Sequence, residues 1–230
     1  MVRIAILSDI HFGKFSRTLE LAVPGENIQD ENRGAASLTD GMIEILKKMA
    51  VEYIFIAGDL TSVASPQEFH YCEEKLNDIA ERVGVGIERV ICCLGNHDID
   101  AFKYGVNLAD ACYFNRPDVA ISYNSSLNIK YQSENILLSH GDISNCNIEN
   151  GLSKIIFCGH YHKYSLFSIN NKLKIDVPSL SDMSKDKPSV LILEMDLNKG
   201  RIQNIEIKNI DMRDLKVLSH GTFLTRSRNK

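Results

Sequence analysis

Five short apolar runs along the chain each break off abruptly at polar residues. Residues 4–7 run into Ser8-Asp9-Ile10-His11, residues 53–57 into Gly58-Asp59, and residues 90–94 into Gly95-Asn96-His97-Asp98. Residues 136–138 run into Ser139-His140-Gly141-Asp142, and residues 155–158 into Gly159-His160-Tyr161-His162. Runs of this length, rich in β-branched residues, predict strands buried on both faces. In such sheets ligands sit beyond the carboxyl ends of the strands, where every one of these polar clusters falls. The pattern therefore places the chemistry on one rim of one sheet.

Between the first three runs the period changes to that of a helix. Met42, Ile45, Leu46 and Met49 follow the helix-starting residues Ser37, Thr39 and Asp40. Ser65-Pro66-Gln67-Glu68 combines an N-cap, a first-turn proline and a capping-box glutamate, and Phe69, Cys72, Leu76, Ile79 and Val83 form one stripe ending at Gly84. Strand–helix alternation predicts a layered α/β fold with right-handed crossovers. Beyond His162, residues 164–169, 172–177, 190–196 and 202–207 read as strands separated by the turn signals Asn170-Asn171 and Asn198-Lys199-Gly200. These predict antiparallel hairpins in a second sheet packed on the first. Within residues 210–230 the expectation is a short helix over 212–218 and a frayed basic tail over 225–230. The whole, residues 1–230, reads as a single domain.

Composition narrows the function. The chain has 230 residues with 26 basic and 30 acidic side chains, a formal net charge of −4. Such a chain has no overall positive field for gripping long polyanions, which disfavours nucleic acid as a partner. The six cysteines (Cys72, Cys92, Cys93, Cys112, Cys146 and Cys158) form no CxxC pair, and several lie in apolar runs. Reduced thiols in a cytoplasmic protein are expected, with no signal peptide at the start and no run approaching the ~20 residues of a membrane helix.

Of the seven histidines, His11, His97, His140, His160 and His162 fall in the strand-end clusters, beside Asp9, Asp59 and Asn96. Imidazole nitrogens with carboxylate and amide oxygens suit Mn, Fe, Co or Zn, and there are more candidate ligands than one tetrahedral ion requires. A pair of ions bridged by a shared carboxylate is the economical reading, and such pairs promote displacement at phosphorus. His70, inside the well-capped helix, and His220, in a second Leu-Ser-His-Gly string without the following aspartate, read as surface residues.

The ordered set Asp9-x-His11, Gly58-Asp59, Gly95-Asn96-His97-Asp98, His140 and Gly159-His160-x-His162 resembles the calcineurin-like metallophosphoesterase superfamily, across residues 9–162. The resemblance implies a two-sheet β-sandwich flanked by α-helices, in αββα layers. It implies that Asp9, His11 and His162 hold one divalent ion, that Asn96, His140 and His160 hold a second, and that Asp59 bridges them. Manganese is the expected metal, with Fe, Co or Zn as substitutes. His160 and His162 are expected to project to one face of an extended segment. His97, not expected to bind metal, corresponds to a histidine that helps protonate the leaving oxygen or steadies the phosphoryl charge, with Asp98 orienting it or a ligand, or standing as a plain solvated carboxylate.

The implied reaction is in-line attack on a phosphorus centre by a hydroxide bridging the two ions. Asn96, His97, Lys14, Arg17 and Arg33 are candidate substrate contacts, the last three within a long segment over residues 12–37 that could close over the metals. Phe102, Tyr104, Tyr113, Phe114 and Tyr123 could wall a base-sized pocket. Gly58-Asp59-Leu60-Thr61 lacks the Asp-Arg of the superfamily's protein phosphatases and looks more like its bacterial-type phosphodiesterases, so a nucleotide-like or other small phosphodiester is the favoured substrate, a phosphomonoester less so. A repair-type DNA nuclease and a non-catalytic scaffold of the same fold are the alternatives. All eight implied positions are retained, which weighs against the scaffold.

Overall fold

The computed structural model describes residues 1–13, 38–98, 120–122, 126–141, 151–180, 188–212 and 215–224. The runs that the pattern marks as strands are β1 (Val2–Leu7), β2 (Tyr53–Ala57), β3 (Val90–Cys93), β6 (Glu134–His140) and β7 (Ile155–Gly159). Helices α1 (Leu38–Lys48) and α2 (Pro66–Val83) lie between the first three. The strand β4 (Ala120–Ser122) follows β3, and β5 (Ser126–Tyr131) precedes β6. The rest of the chain is β8 (Ser165–Ile169), β9 (Lys172–Asp176), β10 (Ser189–Asn198), β11 (Arg201–Asp211) and β12 (Val217–Leu224).

Two mixed sheets form a sandwich. The first has the order β12-β11-β10-β1-β2-β3-β4 and the second β5-β6-β7-β9-β8. Strands β1 to β4 run parallel, as do β6, β7 and β9. Alternation along β1 explains the unbroken hydrophobicity of its residues 4–7. Ala5 and Leu7 pack with Leu46, Leu76 and Ile79 of the helices, whereas Ile4 and Ile6 pack with Leu138, Phe157 and Ile175 of the second sheet. Both described helices cover the outer face of the first sheet.

Three expectations are corrected. The polar clusters do not share one sheet: β1, β2 and β3 belong to the first and β6 and β7 to the second, so the clusters meet on a common rim of the sandwich. The hairpin β10–β11 joins the first sheet, because β10 pairs antiparallel with β1. Strand β10 is apolar on both sides, with Val190 and Ile192 in one core and Leu191, Leu193 and Met195 in the other, which suits a central strand. The short helix expected over 212–218 gives way to strand, because Val217 and Leu218 open β12. The open edge of β11 supplies backbone partners for β12, and Gly221 in its middle disfavours a helix.

Helix α2 begins and ends as its sequence signals dictate. Ser65 Oγ accepts from the Glu68 N–H at 3.2 Å, and Gly84 closes the helix at φ 85°. The capping box is only half made, because the Glu68 carboxylate accepts from Ser62 and Val63 instead of Ser65.

Candidate metal centre

At the common rim the chain leaves the strands through tight kinks. Asp9, His11, Asp59, His160 and His162 have φ of 51°, 53°, 52°, 84° and 57°. Side chains other than glycine rarely adopt this left-handed region, and residues held there cluster at functional sites. Here the backbone holds them. Asp9 N–H donates to Gly58 O (3.1 Å), His11 N–H to Asp59 O (3.0 Å) and Phe12 N–H to Leu60 O (2.7 Å), which zips the loops after β1 and β2 together. His160 and His162 are therefore not on the pleat of an extended segment. Their kinks send them to different partners, His162 Nε2 to Asp9 Oδ1 at 3.0 Å and His160 Nδ1 to Asn96 Oδ1 at 3.1 Å.

The strand-end loops approach so closely here, between the sheets at Gly159 and within the first sheet at Gly95, that both glycines are obligatory. A Cβ on Gly159 would lie 2.1 Å from Ala57 O and 2.2 Å from Ser8 Oγ, and one on Gly95 would lie 2.1 Å from Asp59 Oδ1. Any side chain at either position would push the ligand-bearing loops apart.

Asp59 sits at the centre, almost wholly buried. Its Oδ1 accepts the His97 backbone N–H at 2.9 Å, and its Oδ2 lies 3.2 Å from His140 Nε2 and 3.7 Å from His11 Nε2. Asn96 Oδ1 is 3.2 Å from His140 Nε2, so Asn96, His140 and His160 converge beside it. Among the described residues, three sets could hold a divalent cation, their ligand atoms within 4.8 Å of one another: Asp9, His11 and His162; His11, Asp59 and His97; and Asp9, Asp59 and His140.

The imidazoles are aimed by their far nitrogens. A carbonyl oxygen only accepts, so His140 Nδ1–H donates to Ala57 O (2.7 Å) and His97 Nδ1–H to Ser62 O (2.8 Å), leaving Nε2 of each for the site. That is the arrangement characteristic of metal-binding histidines. The donor set of carboxylate oxygens and aimed imidazole nitrogens fits borderline divalent ions.

Electrostatics follow from burial and proximity. Burial by itself would push the Asp59 carboxyl up, but the hydrogen bond and charge of His140 hold it below its ordinary value. Burial also works against a charged His140, yet Asp59 and Asp9 raise it from 6.5 to about 9. His11 is lowered, chiefly by burial.

Asp98 is not a solvated carboxylate. It is buried, it accepts from the backbone N–H of Leu60, Thr61 and Gly95 and from Thr61 Oγ1, and burial pushes it up to about 6. Its carboxylate thus ties the loop after β2 to the loop after β3 and does not grip the His97 ring. Ser8 and Ser179 also support the site, Ser8 Oγ donating to Asp9 Oδ2 (2.5 Å) and Ser179 Oγ to Asp9 O (3.0 Å), and nothing in a linear reading marks either. His70 and His220 are exposed, near Glu74 and Glu206 respectively, away from the cluster. Lys14, Arg17, Arg33, Asp142, the aromatic residues between 102 and 123, Cys112 and Cys146 lie outside the described residues. Cys72, Cys92 and Cys93 are buried free thiols, and Cys158 is also buried.

Residues 2–198 match the calcineurin-like phosphoesterase superfamily domain. The chain belongs to that superfamily. Among solved structures it is similar to vacuolar protein sorting 29 of Cryptosporidium parvum, with TM-score 0.57 and 17% identity over 97% of this chain and 98% of that one. An archaeal phosphodiesterase aligns with TM-score 0.55 and 17% identity, covering 91% of this chain and all (100%) of the other. The zinc complex of vacuolar protein sorting 29 from Entamoeba histolytica aligns with TM-score 0.54 and 15% identity, covering 98% and 100%. At these identities the likeness is one of fold. No curated protein matches the sequence significantly. No described helix is long and apolar enough to cross a membrane.

Proposed function

We propose that this superfamily member is a dinuclear-metal-dependent phosphoesterase acting on a phosphodiester of a nucleotide-like or other small substrate. The observation that carries the proposal is the overlap of three cation-competent sets in one cluster, joined through Asp9, His11 and Asp59. The proposed ligands are Asp9, His11 and His162 on one side, Asn96, His140 and His160 on the other, and Asp59 between them. Two divalent ions there, manganese first among the candidates, would lower the pKa of water and neutralise phosphate charge.

The chain's own residues do the remainder. Asp59 presents one oxygen to imidazoles from both sheets, which fixes the spacing of the two halves. His97, exposed at the edge of the cluster with its ring 4.8 Å from that of His11, offers Nε2 to the leaving oxygen. Asp98 is a positioning residue for the loops bearing Asp59 and Asn96. Lys14, Arg17 and Arg33 are proposed to reach the substrate phosphate. Buried free thiols suit a reducing compartment such as the cytoplasm.

Metal analysis with hydrolysis of bis-p-nitrophenyl phosphate under Mn²⁺ tests the reading, and a panel of cyclic nucleotides, dinucleotides, phosphomonoesters and single-stranded DNA assigns the substrate. His97→Asn should lower turnover about 100-fold while leaving metal content unchanged. Loss of metal in that variant would instead make His97 a ligand, as its place in one of the three sets allows. The fold likeness to vacuolar protein sorting 29 favours a second reading, a protein-binding scaffold. A protein that holds no metal and hydrolyses nothing would support it.

A further inference from the structure

The buried Glu68 has no part in the metal cluster, and its capping role is incomplete. Its Oε2 accepts the Val63 N–H at 2.8 Å and the Ser62 N–H at 3.2 Å. The Ser62 N–H is shared with Phe12 O (3.1 Å), so the Val63 bond is the shorter link to the carboxylate. Val63 N–H and Ser62 C=O belong to one planar peptide group, and in a trans peptide they point in opposite directions. The far side of that group, Ser62 O, accepts from His97 Nδ1 at 2.8 Å. One peptide plane is thus gripped by a carboxylate on one edge and an imidazole on the other.

We propose that Glu68 is a positioning residue for His97, acting through the Ser62–Val63 peptide group. A carboxylate on the N–H polarises the amide and strengthens its carbonyl as an acceptor. The strengthened carbonyl keeps one proton on Nδ1, so the proton that His97 gives to the leaving oxygen is a second one, carried on Nε2 and turned to the site. Neither Glu68 nor the peptide touches the substrate. The role rests on the phosphoesterase reading only where catalysis is concerned, because the geometry it asserts exists without metal or substrate.

The test uses Glu68→Gln and Glu68→Ala, with His97→Asn as reference, in the full chain. Nitrogen-15 spectra of histidine-labelled protein report which ring nitrogen carries the proton. The wild type should show His97 protonated at Nδ1, Glu68→Ala should show a mixture of tautomers, and Glu68→Gln should restore most of the preference, since its amide oxygen still accepts from Val63. Unchanged His97 signals in folded Glu68→Ala would overturn the proposal.

Kinetics give a second reading. With metal loaded, Glu68→Ala should lower kcat on diphenyl phosphate about tenfold and on bis-p-nitrophenyl phosphate by less than about threefold, because the better leaving group needs less help from an acid, and Glu68→Gln should stay close to wild type. KM and metal content should stay constant, and adding Glu68→Ala to His97→Asn should cost nothing further. Equal losses on both substrates, or losses that add to His97→Asn, would reduce Glu68 to a loop support and overturn the relay. A wild type inert on both diesters would instead defeat the phosphoesterase reading, leaving the tautomer spectra to decide this one.

Discussion

The two sheets contribute to the cluster in different ways. The first-sheet loops are stitched to one another by Asp98 and by the paired backbone of residues 9–12 and 58–60, and Glu68 of α2 braces the loop after β2. The second-sheet histidines find partners across the sandwich: His140 on Ala57 O, His160 on Asp9 and Asn96, and His162 on Asp9. One half is organised within its own sheet, and the other is completed by closing the sandwich. Metal affinity in this protein should therefore be sensitive to the distance between the sheets, and not only to the identity of the ligands.

Asp59→Asn should produce the largest effect, since Asp59 lies between imidazoles of both halves. Hydrolysis should fall by at least about 1000-fold, and titration calorimetry should show that at least one of two metal equivalents is lost. Retention of two equivalents would mean that the halves do not depend on this carboxylate.

Gly159→Ala keeps every ligand residue but puts a Cβ 2.1 Å from Ala57 O. Stability should drop by about 2–3 kcal/mol in urea titration, with weaker metal binding to the second-sheet histidines. A variant as stable as wild type would show that the rim is more yielding than its packing implies.

Protonation separates the halves more gently. In metal-free protein the folded value for His140 is raised from 6.5 to about 9 by Asp59 and Asp9 against the effect of burial. Its contribution to stability is therefore complete below pH 6.5 and is lost as pH rises through about 9. Melting temperature in chelator should decline across that window, and metal binding should release a proton there, so apparent affinity rises with pH. A flat melting profile from pH 6.5 to 9, or the same slope in His140→Asn, would contradict the coupling.

At the small end, His220→Ala on the exposed face of β12 should shift stability by less than about 0.5 kcal/mol and leave metal binding unchanged. A metal loss in that variant would mean that the cluster extends beyond its eight residues.

Much of this was legible in the linear chain. The apolar runs give the strands because a strand covered on both faces needs no polar alternation, and the Ser65 cap and Gly84 stop delimit α2 because their backbone demands are local. The cluster residues are visible because each follows a strand end. The assignment of strands to sheets was not legible, since β6 and β10 carry similar apolar signals and only pairing partners distinguish them. The buried state of Asp98 was equally hidden, because its four hydrogen bonds come from residues three to 38 positions away.

By itself the sequence determined the strand and helix alphabet and the superfamily, and it offered a set of candidate side chains for a cation. Those depend on local periodicity and residue chemistry. Only the tertiary structure decided that two sheets meet at one rim, that Asp59 faces imidazoles from both, and that Glu68 reaches His97 through a peptide group. Those relations depend on which surfaces pack together, and the buried contacts that select the packing join residues far apart in the chain.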